Sequence, residues 1–174
     1  MPVLSYPETR QVYEYDCGSN ALASMLCYGG AEEREDRLMK LAGTTERDGT
    51  PPDGVLLVFG YFGLPTESGE GMTPDDLRKA IDKGFPTMLC LQAYRDSNKP
   101  YSQLWDQGHW VVAIGYDKDR IIMEDPASYH RTWISDTELI ERWHDEDKGK
   151  KVVGWGCTLL VNGAYQHDQI DHLD

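Results

Sequence analysis

A chain of 174 residues with 40% hydrophobic side chains is long enough to bury one sizeable core and too apolar to be disordered throughout. Its formal net charge of -13 argues against nucleic acid or an anionic membrane surface as partner. The start, MPVLSYPETR, has no basic stretch leading into an apolar run, and the longest apolar run, VLLVFGYFGL at 55–64, is about half of a membrane span, so a soluble, cytoplasmic protein is expected.

The chain divides into a helical first half and a sheet-forming second half. A helix begins at Asp16 or Cys17, with Ala21, Leu22, Met25 and Leu26 at helical spacing, and stops near Tyr28 at Gly29-Gly30. AEEREDRLMKLAG, 31–43, reads as a second helix with acids near its start and Lys40 near its end, which suits the helix dipole. Pro51-Pro52 ahead of VLLVFGYFGL favours a short buried helix there. A further helix is expected over 73–84, with Thr73 as cap, Pro74 in the first position and Gly84 at the end.

Beyond Gly84 the period changes to two. PTMLCLQAY reads as a strand, followed by a loop at 95–108. HWVVAIGY and RIIMED, joined by a DKD turn, read as a hairpin over 109–125, and RTWIS as a short strand. SDTELIERWH carries the capping-box pair Ser135 and Glu138, and GCTLLVNG is a last strand. The expected architecture is α+β, one domain over 1–165 with a polar tail over 166–174.

Four cysteines lie far apart without a Cys-x-x-Cys pair, which speaks against structural zinc, and no metal or cofactor is expected. Cys27, Cys90 and Cys157 sit among apolar neighbours, whereas Cys17 stands among Asp16, Gly18, Ser19 and Asn20 at a helix start. A helix N-terminus or an adjacent imidazolium raises the thiolate fraction, and the thiolate is the nucleophile. Of five histidines, His109 alone opens a buried strand, where its ring is held as a general base must be. The hairpin turn at 117–119 sets residue 109 opposite about 126, which brings Asp125 beside His109 as an orienting acceptor, while alternation sends Glu124 to the other face. Gln11, six residues before Cys17, can loop back so that its amide and the Cys17 N–H hold a developing oxyanion. Asp16 opposes a thiolate unless its carboxylate is engaged in capping.

The run from Gln11 to Asp16-Cys17-Gly18, followed by GHWVVAIGYDKDRIIMEDPAS at 108–128, resembles the bacteriocin-processing cysteine peptidases, papain-like domains that cut after a double-glycine leader. The resemblance spans roughly the first three quarters of the chain. It implies a papain-like fold and a peptide or protein substrate, with Cys17 as nucleophile, His109 as base, Asp125 as orienter and Gln11 as oxyanion donor. The loop before His109 carries Tyr101 and Trp105, and Trp110 follows it; these three are candidates for substrate contact, and Tyr94 is a further aromatic near the cleft. An acyl or aminoacyl transferase on the same scaffold, or a non-catalytic peptide-binding module, are the alternatives. His167, Asp168, Asp171 and His172 read as a solvated tail and not as a metal site.

Overall fold

The computed structural model describes the whole chain except Asp96, Ala164, His167, Gln169, Asp171 and Asp174. Three helices come first: α1, Cys17–Tyr28; α2, Glu35–Ala42; and α3, Pro52–Tyr61. Then follow strand β1, Thr66–Gly69; helix α4, Pro74–Asp82; and strands β2, Thr87–Gln92, β3, Gly108–Asp117, β4, Arg120–Glu124, and β5, Thr132–Ser135. Helix α5, Asp136–Arg142, leads into strands β6, His144–Asp147, β7, Lys150–Val153, and β8, Gly156–Leu159. The main sheet is antiparallel in the order β1-β8-β2-β3-β4-β5, and β6 and β7 form a separate hairpin.

Alternation along β2 and β3 sorts the core into two layers. Met88, Cys90, Trp110, Val112 and Ile114 face α1, Leu26 and Phe59, while Leu89, Leu91, Val111 and Ala113 face Leu77, Leu139 and Trp143 on the α4 and α5 side. Helix α1 is buried almost all round, which its small residues permit. At Gly54 in α3 a Cβ would lie 1.9 Å from the Ala42 carbonyl oxygen, so glycine sets how closely α3 approaches α2.

The local signals act as expected at α4 and α5. Thr73 and Asp76 form a capping box with Pro74 in the first turn, and Ser135 and Glu138 form another. At the end of α1 it is Gly30, at φ 84°, that takes the left-handed turn. Three elements differ from expectation. Helix α2 starts at Glu35 and not at 31, because the Ala31 N–H is used to close α1 on the Leu26 carbonyl and Arg34 is extended. Strand β1 was not expected, since TESG has no apolar alternation; it exists by pairing with β8 at the sheet edge. The β6–β7 hairpin was also not expected, because its strands, HDED and KKVV, carry mostly charged residues and no apolar alternation. Its turn, Lys148-Gly149, has positive φ at both residues, as a two-residue hairpin turn requires. Among the described residues no helix is long and apolar enough to cross a membrane.

Candidate active site

Cys17 is the first residue of α1 and is 5% exposed. Gly18 lets this end of the helix sit down on the sheet: a Cβ there would lie 2.5 Å from Thr50 Cβ and 2.8 Å from Trp110 Cδ1. Trp110 locks the same contact by donating its indole N–H to the Thr50 carbonyl at 3.0 Å. The thiol is thus placed by a helix start, a glycine and a strand residue that meet at one point.

Asp16 does not cap α1 with its side chain. Its Oδ2 accepts the N–H groups of Val12 and Tyr13, at 3.1 and 3.0 Å, so it folds the preceding loop back over the helix start. This loop is clamped from the far side. The Gln11 N–H donates to the Pro126 carbonyl at 3.0 Å, and Arg10 pairs with buried Glu124 at 2.7 Å. The end of β4 therefore grips the segment that leads into Cys17.

His109 is buried near the mouth of β3 and donates from Nε2 to Asp125 Oδ1 at 2.8 Å. The paired register of β3 and β4 ends at Val112 and Glu124, after a bulge between Ala113 and Gly115, so Asp125 meets His109 side chain to side chain beyond the ladder. With Nε2 committed to Asp125, Nδ1 is left to face Cys17, which lies close enough to raise the His109 pKa. Burial pulls the His109 pKa down, but the bonds to Asp125 and Cys17 outweigh it and hold the pKa at about 9. Burial likewise opposes the Asp125 carboxylate, and His109, Tyr94 and the Ala127 N–H overcome that and keep its pKa below the ordinary value.

Burial acts on the other three cysteines. Burial raises the thiol pKa of Cys27, carries that of Cys157 up to about 12, and raises Cys90 well above its ordinary value, with Asp145 adding to the effect at Cys90.

Cys17 opens on a cleft of about 880 Å3 that Trp105, Trp110, Cys90 and Asp145 also line. Two of the three expected substrate-contacting aromatics, Trp105 and Trp110, therefore share the cleft with the thiol. Tyr101 does not line it: its ring lies between the guanidinium groups of Arg95 and Arg142, 4.5 and 4.0 Å from its centroid. Tyr94 is turned away from the cleft as well and donates its hydroxyl to Asp125. Gln11 keeps its side chain local, donating from Nε2 to the Tyr13 carbonyl at 2.8 Å. Sequence reasoning missed the β6 wall of the cleft, where Asp145 packs so closely on Gly108 that a Cβ there would lie 2.5 Å from Asp145 Oδ2. The Lys148-Gly149 turn was the available signal. Asp96 of the loop and His167 and Asp171 of the tail lie outside the described residues. Among the described residues no group of three or more His, Cys, Asp or Glu is placed to hold a metal ion.

A helical half presenting a cysteine to a histidine on an antiparallel sheet defines a papain-like cysteine peptidase. The model of the Peptidase C39 family matches residues 5–146, and the chain belongs to that family. Solved structures share the fold at low identity. The peptidase domain of Streptococcus ComA, a bi-functional ABC transporter involved in a quorum-sensing pathway, is 19% identical with a TM-score of 0.64, over 91% of this chain and 98% of that one. A putative C39-like peptidase from Bacillus anthracis is 15% identical with a TM-score of 0.70, over 92% and 98%. A double glycine motif protease from an AMS/PCAT transporter, solved in complex with the leader peptide, is 20% identical with a TM-score of 0.62, over 90% and 91%. No curated protein matches the chain.

Proposed function

We propose that the protein hydrolyses a peptide bond through Cys17, His109 and Asp125, by way of a thioester. The observation that carries this reading is the His109 ring, bonded at Nε2 to Asp125 and close enough to the thiol at the start of α1 to feel it electrostatically.

The steps follow from that placement. A ring that keeps its proton up to about pH 9 stands as an imidazolium beside the Cys17 sulfur over the neutral range. The sulfur attacks the scissile carbonyl carbon, and the carbonyl electrons move to oxygen. The Cys17 N–H, at a helix start whose first amide donors lack intrahelical partners, is the donor to that oxyanion, and Gln11 joins it on releasing the Tyr13 carbonyl. As the tetrahedral species collapses, His109 passes its proton to the leaving amine and a thioester remains. His109 then takes a proton from water, hydroxide adds to the thioester, and the carboxylate product leaves the restored thiol. Asp125 holds the ring in one tautomer throughout. Trp105 and Trp110 give the cleft apolar surface for an extended peptide.

The substrate class in this reading is a peptide with a double-glycine leader, supported by the leader peptide bound to one structural neighbour. Incubation with such a peptide, followed by mass spectrometry, is expected to give cleavage after the second glycine by the wild type and none by Cys17→Ala. Absence of any cleavage by a folded wild type overturns the substrate assignment. Transfer of the leader to an added amine, with no free carboxylate formed, overturns hydrolysis.

A further inference from the structure

We propose that Tyr94 is a positioning residue that fixes Asp125, and through it the His109 ring, in line with Cys17. The inference rests on the catalytic reading above and adds a fourth member to the set.

Three observations converge on this side chain. First, the two oxygens of Asp125 are divided. Oδ1 accepts from His109 Nε2 and from the Ala127 N–H, whereas Oδ2 takes the Tyr94 hydroxyl in a short hydrogen bond. Without Tyr94 the carboxylate could turn about its terminal bond and lose its alignment with Nε2. Second, the Tyr94 ring stands edge-on to the His109 ring, with centroids 5.3 Å apart and planes at 73°, so the same residue touches both partners. Third, the placement does not come from burial. Tyr94 is 59% exposed, and its backbone sits at φ 55°, a left-handed conformation that residues with a side chain seldom adopt. An exposed aromatic on an unfavourable backbone is held there by its polar contact.

The position also follows from the strand register. Leu91 and Gln92 pair with His109 and Gly108, and the Ala93 N–H donates to the Gln107 carbonyl. Tyr94 is the next residue, and the left-handed turn carries its side chain over the ring that opens β3. Tyr94, His109 and Asp125 line a cavity of about 110 Å3, separate from the cleft that holds Cys17. The titratable and charged groups around them are Cys17 from α1, Arg142 from α5, and Tyr101 from the loop.

A donor on Oδ2 competes with His109 for the carboxylate charge. Removing it by Tyr94→Phe leaves the ring in place, gives His109 a more basic partner and frees Asp125 to rotate. The expected result is a fall in kcat of about tenfold, the size of one hydrogen bond to a charged group, with KM unchanged. The basic limb of the pH profile is expected to move upward.

The same limb is read, without any peptide, from the rate of iodoacetamide alkylation of Cys17. A failure of the substrate assignment therefore leaves this test intact. In an Asp125→Asn background, Tyr94→Phe should cost less than twofold more, since the carboxylate it positions is gone. Tyr94→Phe with wild-type kcat and an unmoved alkylation limb overturns the proposal. An equal loss in both backgrounds overturns it too, because Tyr94 would then act by another route.

Discussion

Two histidines, one on β3 and one on β6, are buried alike, yet their settings oppose each other. His109 and His144 are each 7% exposed, and each presents Nε2 to one oxygen, at 2.8 and 2.7 Å. Each also packs against an aromatic ring, Tyr94 or Trp105. The oxygen beside His109 is a carboxylate, and the Cys17 thiol lies close enough to raise the ring's pKa. The oxygen beside His144 is the neutral carbonyl of Leu104. Burial and a good hydrogen bond are therefore common to both; a carboxylate bonded to the ring and the Cys17 sulfur beside it set His109 apart. A histidine is made reactive by what faces its two nitrogens and not by being buried.

The comparison can be broken by removing each ring. His109→Ala is expected to lower kcat on the order of 10^4-fold or more, and a second change, Cys17→Ala, should add little, because the two act as one unit. His144→Ala should leave kcat within about threefold, since its Nε2 is spent on a carbonyl. Steady-state kinetics of the three proteins decide this, and a His144→Ala protein as inactive as His109→Ala would erase the distinction.

A smaller change sharpens it. Asp125→Asn turns the setting of His109 into that of His144, with a neutral oxygen on Nε2. About tenfold loss in kcat is expected, with some turnover retained because the amide oxygen still accepts the ring N–H. The basic limb of the pH profile, expected near 9 in the wild type, should fall toward 7. The sign agrees with stability. A folded pKa raised above 6.5 stabilises the native state fully below that value, and the contribution is lost as pH rises to about 9. Urea titrations at pH 6 and pH 9.5 should show less of this loss in Asp125→Asn than in the wild type.

The smallest effect falls on the other histidine. His144→Ala leaves the Leu104 carbonyl without its donor and is expected to cost about 1–3 kcal/mol in urea unfolding, with the pH limbs of activity unmoved.

Much of this candidate site was legible because Cys17 and His109 both stand where the sequence changes period. Cys17 is polar-flanked at the start of a helical repeat, and His109 heads an apolar strand. Counting back from the DKD turn led to Asp125 even though a bulge between Ala113 and Gly115 interrupts the ladder, because one residue of slip lies within side-chain reach. Glu124 turned to the opposite face, as alternation requires, and found Arg10 there. The role of Asp16 was less legible: its carboxylate serves the N–H groups of the loop before it, and no local signal tells this apart from a cap. Tyr101 and Trp105 could not be told apart either, since both are aromatics of one loop. Their separation depends on Arg142, a residue of α5 that holds Tyr101 on the far side. The β6–β7 wall was hidden by its charges, which mimic a surface loop until the Lys148-Gly149 turn is read.

The place of β8 has a consequence for the order in which the molecule comes into being. Its four residues, 156–159, lie between β1 and β2 and bond to both. As the chain leaves the ribosome, Cys17, His109 and Asp125 emerge well before that slot is filled. Until it is filled β1 has no partner strand, and β2 is paired on one side only. The sheet therefore closes at an interior slot beside its edge strand with the last of its strands, a distant contact that costs loop entropy before it is rewarded. Synthesis runs from one end of the chain to the other, while assembly of the sheet waits for an insertion, so the two timetables are separate.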